Sequence, residues 1–78
     1  MSSKPKPKPC YLDKFEVVKV VGKRKIHADP KRTRYYTWDG MHGEIEVFDR
    51  NGFHLAALNA ITGIFKKPAV KGRKINLK

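Results

Sequence analysis

The chain has 78 residues and a net charge of +11, with 18 Lys and Arg against 7 Asp and Glu. That length accommodates one small domain and a short tail, and the basic excess favours a polyanion: nucleic acid, an acidic protein or an anionic membrane. No apolar run approaches the ~20 residues that span a bilayer, Met1 to Pro9 has no hydrophobic segment of the secretory kind, and the short apolar groups lack the sustained spacing of an amphipathic membrane helix.

In chain order, residues 1–10 are Lys/Pro-rich, with Lys and Pro alternating up to Pro9. They read as an extended linker with little ability to pack, a disordered basic tail ahead of a domain over 11–78. Tyr11 to Val21 carries Phe15, Val17, Val18, Val20 and Val21, which predicts a strand after a short helical turn. Gly22 to Arg34 is polar and basic and reads as a long loop or ragged hairpin, with His27 in it. Arg34 to Trp38 is aromatic and strand-like, with Trp38 expected in the core. Asp39-Gly40 is a turn signal. His42 to Phe48 then alternates, with Ile45 and Val47 on one face and His42, Glu44 and Glu46 on the other. Asn51-Gly52 is the strongest hairpin signal. Phe53 to Leu58 makes the next strand, with His54 as a strand-end packing residue. Thr62-Gly63 turns again before a short strand from Ile64 to Lys66, and Lys71 to Leu77 is a basic segment suited to close the sheet. Short connections imply an antiparallel meander. The predicted fold is mainly β: one small domain, a highly twisted sheet of four to six strands, and little helix.

The single cysteine, Cys10, can form no internal disulfide and no zinc site by itself. His27, His42 and His54 show no His-x-x-x-His spacing, so neither a metal nor a cofactor is expected.

The acidic residues are concentrated. Asp39, Glu44, Glu46 and Asp49 are four of the 7, and His42 sits among them. A protein that only binds a polyanion gains nothing from this cluster, which repels phosphate. RNA cleavage without a metal gives it a purpose. A base removes the proton of a ribose 2′-hydroxyl, an acid protonates the leaving 5′-oxygen, and a cation stabilises the phosphorane-like transition state. Alternate strand residues lie ~7 Å apart, within reach of one phosphodiester for long side chains. Crowded carboxylates are expected to raise at least one of their own pKa values. Asp39, across the turn from His42, is placed to hold one imidazole nitrogen. On the pattern alone, His-x-Glu-x-Glu also fits the wet face of any antiparallel sheet.

The stretch Tyr36-Thr37-Trp38-Asp39-Gly40-Met41-His42-Gly43-Glu44-Ile45-Glu46 closely resembles the active-site segment of the ribosome-inactivating ribonuclease domains of the E-group colicins and cloacin. The shared pattern is Tyr-x-Trp-Asp-x-x-His-Gly-Glu-x-Glu. It continues in register with Gly52-x-His54-Leu55, Thr62-Gly63 and Arg73-x-Ile75, covering the chain from about Arg34 onward. The resemblance implies a twisted antiparallel sheet that makes one cut at the decoding site of small-subunit (16S) ribosomal RNA and stops translation. It implies Asp39, His42 and Glu46 as catalytic, with Glu46 the base, His42 the acid and Asp39 the group that holds His42. Arg73 would bind the phosphate, and Glu44 and Tyr36 would support the site. Lys23, Arg24, Lys25, Arg34, Lys66, Lys67, Lys71 and Lys74 are the expected contacts to RNA. The resemblance further implies an acidic immunity protein as partner. The domain is expected to be a monomer, delivered from a producing bacterium and active in the cytoplasm of its target. Departures from the pattern fall at Gly40-Met41, Ala56 and Asn59-Ala60. Three alternatives compete: a non-catalytic basic RNA-binding module, a toxin ribonuclease acting on transfer or messenger RNA, and a histidine-metal DNA nuclease.

Overall fold

Runs of β-branched and aromatic residues separated by glycine-bearing turns leave the chain few options other than neighbouring hairpins. The computed structural model describes residues 4–22 and 24–75. A 3-10 turn, Tyr11–Lys14, precedes β1 (Glu16–Val21), β2 (Arg24–Ala28), β3 (Arg34–Asp39), β4 (Glu44–Asp49), β5 (His54–Asn59) and β6 (Phe65–Pro68). The strands form one six-stranded antiparallel sheet in sequence order, a pure meander. The mainly β reading therefore holds at the upper end of the predicted strand number.

Of two less regular stretches, one settles between the predicted options and one differs. The stretch after Gly22, read as loop or ragged hairpin, is the second of these: β2 pairs with β1 through a bulge, with Ile26, His27 and Ala28 buried. Its basic residues hide it from periodicity, and pairing along β1 creates it. The strand expected from His42 starts only at Glu44, and His42 lies in the preceding turn.

The register separates two faces. Tyr36 lies opposite Val47, and Trp38 opposite Ile45. These side chains share one face and pack with Cys10, Leu12, Phe15 and Leu58 into the main core. The alternate residues Thr37, Asp39, Glu44, Glu46 and Phe48 therefore lie on the opposite face. A bulge in the β4–β5 ladder is decisive there. Val47 pairs with Ala56 but Phe48 with His54, so Leu55 is an extra residue. Were the pairing regular, Leu55 would face Phe48 and His54 would point into the covered face; the bulge brings His54 to Glu46 and Phe48.

The Lys/Pro segment, expected to pack little, is mostly exposed over residues 4–9 but is tied down at its two ends. Cys10 is buried in the core. The Lys4 amide donates to the Gly40 carbonyl at 2.6 Å, and the Trp38 indole N–H donates to the Lys4 carbonyl at 3.2 Å. The segment is a strap across the end of β3. Lysine and proline frequency disguise this, because its anchoring bonds are made by backbone groups and one cysteine. The remaining tail residues, 1–3, lie outside the described residues.

Candidate active site

The β3–β4 turn is built by one carboxylate. Asp39 Oδ1 accepts from the Met41 amide at 3.1 Å and the His42 amide at 3.2 Å. Its other oxygen holds His42 Nδ1 at 2.8 Å. A carboxylate only accepts here, so Nδ1 carries the proton and the second ring nitrogen, Nε2, is left free for other chemistry. The His42 side chain is 52% exposed. Gly43 closes the turn at φ +67°, and a Cβ there would come within 2.7 Å of Lys4 Cδ. The turn thus needs glycine for its conformation, while the Lys4 side chain is free to move aside.

Glu46, on β4, points from the sheet towards the same space. It is 8% exposed. Arg73 Nη1 forms a salt bridge with its Oε1. Arg73 arrives from the C-terminal segment, which runs alongside the β4–β5 turn. His54 N donates to Arg73 O at 3.0 Å, Ile75 N donates to Gly52 O at 2.8 Å, and Phe53 bridges to Lys74. On the other side of Glu46, the buried His54 places Nε2 3.4 Å from Oε2. The Val70 amide donates to His54 Nδ1 at 2.8 Å, so in the neutral ring Nε2 bears the hydrogen; it lies near Glu46 but makes no hydrogen bond to it. His54 does pack, edge-on against Phe48, as its strand-end position predicts. Its meeting with Glu46 was not legible in the sequence, because the Leu55 bulge reverses the alternation.

These side chains surround a cleft of about 550 Å³ lined by Arg24, Thr37, Trp38, Asp39, Met41, His42, Glu46, Phe48, Arg73 and Lys74 among others. That volume suits a nucleotide-sized ligand.

The Cytotoxic family model matches residues 7–76, nearly the whole chain. The chain belongs to the colicin-type cytotoxic domain family. A search of curated proteins gives no match. Membership carries a toxin function of the nuclease kind.

In this cytotoxic domain, Glu44 stands one strand step from Glu46 but has different partners. It is 2% exposed, and Lys67 and Lys66 approach it at 3.0 and 3.4 Å. Both lysines, expected on RNA, also neutralise this buried carboxylate, and their side chains remain 43% and 52% exposed. Asp39, His42 and Glu44 each offer a ligand atom within 4.8 Å of the others, a spacing compatible with a cation. The two lysines already supply positive charge at Glu44, which weakens the case for one.

Other predicted positions scatter. Tyr36, expected to support the site, lies on the covered face, stacked on Phe15 at 4.1 Å between ring centroids. Burial pushes its phenol above the ordinary value. The alternation of β3 sends it away from Asp39, so it does not reach the cleft, and any support it gives the site runs through the core. Arg34 begins β3, at the far end from Asp39, outside the cleft lining. Arg24 and Lys74 line the cleft, and Lys74 sits over the Phe53 ring. Lys25 is on β2, and Lys71 lies in the turn before Arg73. Lys23 falls outside the described residues. His27, expected in a loop, is buried on β2 with Nδ1 donating to the Phe15 carbonyl at 3.1 Å. Trp38 packs against the core as expected, yet also lines the cleft.

Crowding does not lift the carboxylates of Asp39 or Glu44. Burial pushes Asp39 up, but the His42 side-chain bond, then the backbone amides and the His42 charge, outweigh it and hold it below 3.8. Burial likewise opposes ionisation of Glu44, and Lys67 with Lys66 outweigh it. Each acid has its own partner, His42 for Asp39 and the two lysines for Glu44, whose bonds and charge outweigh the cost of burial.

A depressed folded-state pKa means that the Asp39 contribution to stability is present above its ordinary value and is lost as the pH falls through the lower folded value. Asp39→Asn is therefore expected to cost about 1 kcal/mol at pH 7, measured by urea unfolding, with the gap from the parent protein shrinking below pH 3.8. An unchanged gap in acid would contradict this account.

The strap gives a second expectation. Lys4→Pro deletes the N–H donated to Gly40 and leaves most of the core in place. Nuclease activity should fall about ten-fold or more through a displaced turn, with the urea midpoint nearly unchanged. Full activity would show that the turn holds itself.

Proposed function

We propose that this domain is a metal-independent endoribonuclease that cuts 16S ribosomal RNA at the decoding site and thereby stops translation. The observation that carries the reading is the convergence of Arg73 on Glu46, from the far end of the chain, in the cleft that His42 borders. An acid, a base and a cation are the minimum set for 2′-hydroxyl attack.

Glu46 takes the 2′-hydroxyl proton, and the 2′-oxygen attacks the adjacent phosphorus. The bond from phosphorus to the 5′-oxygen breaks as His42, in its doubly protonated form, delivers the Nε2 proton to that oxygen. The products are a 2′,3′-cyclic phosphate and a free 5′-hydroxyl. Arg73 faces the charge that develops on the phosphoryl oxygens. Without RNA it neutralises Glu46; with RNA it exchanges part of that contact for phosphate, freeing the carboxylate to act as a base. Asp39 keeps the His42 ring oriented through Nδ1 and stabilises the charged imidazole that must form. Glu44 and its two lysines supply a neutralised floor beside the reacting groups.

The net charge of +11 steers the domain to ribosomal RNA and equally to an acidic immunity protein, both with steep salt dependence. In this reading the monomeric domain is delivered from a producing bacterium and works in the cytoplasm of its target.

The test is digestion of intact ribosomes and of deproteinised RNA, with and without EDTA, followed by end mapping. The expected result is one fragment from the 3′ region of the small-subunit RNA, formed equally in EDTA. Scattered cuts, cuts confined to transfer RNA, or loss of cleavage in EDTA would each defeat the reading.

A further inference from the structure

β2 and β3 are partners for only part of their length. The register joins His27 to Tyr36 and Ala28 to Tyr35, while β2 runs back to Arg24 and β3 onward to Asp39. The unpaired halves border a second cavity of about 500 Å³, whose lining includes Lys6, Arg24, Lys25, His27 and Trp38. Arg24 and Trp38 line this cavity and the Glu46 cleft as well, so the two spaces adjoin. Their chemistry differs. The cleft has Asp39 and Glu46 in its walls, whereas the described lining of the second cavity contains no carboxylate. Lys6 is paired with Asp13 at 3.1 Å, but Arg24 and Lys25 have no ion pair among the described residues, unlike Lys66, Lys67 and Arg73. Trp38 spends its indole N–H on the Lys4 carbonyl. That bond orients the ring, which packs on one side against the core, and the part that lines the cavity is what it can offer a ligand.

A fixed aromatic ring beside unpaired cations is the arrangement that binds single-stranded nucleic acid: the ring takes a base and the cations take phosphates. We propose that the second cavity is a subsite for an RNA nucleotide flanking the cleaved linkage, its base stacked on Trp38 and its phosphates against Arg24 and Lys25. This rests on the ribonuclease reading and adds a contact outside the reacting groups. Such a subsite lets remote binding position the scissile linkage, so that longer substrates bind more tightly than the minimal one.

Trp38 is the single tryptophan, which makes its fluorescence a direct reporter. The probes are uncleavable 2′-fluoro oligoadenylates of two and four nucleotides. The tetranucleotide should quench Trp38 and bind about ten-fold tighter than the dinucleotide, the scale of one base–aromatic stack. Lys25 lines the second cavity and not the cleft. Lys25→Glu should remove most of the length advantage and leave dinucleotide binding nearly unchanged. Lys31→Glu, the same charge change in the β2–β3 turn, should retain the advantage. Equal affinity for both probes, equal losses in the two variants, or a tetranucleotide with an abasic site at each end quenching as strongly as the intact one would overturn the subsite. If ribosomal RNA is cut as expected while any of these results is obtained, only the subsite fails. If the parent protein cuts no RNA, the ribonuclease reading fails first.

Discussion

Ribosomes incubated with a His42→Ala variant are expected to stay intact under conditions in which the parent protein cuts them to completion. Loss of a positioned general acid removes about 10²–10⁴ in rate, and single-turnover cleavage with end mapping measures it. His42 suits the experiment because its side chain is half exposed and, among the described residues, bonds to Asp39 alone. The core does not depend on it, so the urea midpoint should move little. Affinity for ribosomal RNA should also survive, since phosphate contacts by Lys and Arg dominate it. A basic RNA-binding module would show the opposite insensitivity, keeping all of its activity. A His42→Ala variant that cleaves within ten-fold of the parent would remove the imidazole from the mechanism. Glu46→Gln is less clean, because it leaves Arg73 without its carboxylate and perturbs the contact with His54.

Leu12→Ala is expected to destabilise the domain by about 2–5 kcal/mol, the range for truncating a buried leucine. Leu12 is 0% exposed and packs with Cys10, Tyr36, Ile45 and Val47. A chain of 78 residues has a total stability of roughly 4–12 kcal/mol, so this one change removes a large share of it. Urea unfolding at pH 7 reads the effect. Val20→Ala serves as the control, because Val20 is 58% exposed and its truncation should cost well under 1 kcal/mol. A Leu12→Ala loss no larger than that of the control would mean that the segment before β1 adds little to the core. The comparison bears on function too, since the segment that delivers Leu12 continues back to the strap on the 39–43 turn.

Much of this molecule was readable because it is local. The Asp39-Gly40, Asn51-Gly52 and Thr62-Gly63 signals placed turns where they occur, because glycine and its polar neighbours accept the backbone angles that reversals need. The apolar alternation at Ile45 and Val47 identified a covered face. The Asp39–His42 contact spans three residues, short enough to be reasoned from a turn alone. The family motif named Glu46 and Arg73, which no local argument links.

Other features were settled by distant parts of the chain. β2 exists because β1 offers it a ladder, and its own basic sequence leaves loop and hairpin undecided. Tyr36 lies in the core because the β3–β4 register fixes its side on the covered face. His54 came to Glu46 because one bulged residue, Leu55, reverses the parity of β5, and a two-residue period read from sequence carries no record of where an extra residue is inserted. Residues 4–10 became a strap through backbone bonds, which composition does not report. Composition, turns and alternation thus determined the β class, the hairpins and the charge. The meeting of Arg73, Glu46 and His54 was decided only when the C-terminal segment paired beside the β4–β5 turn, because contacts between residues far apart depend on the register of every strand between them.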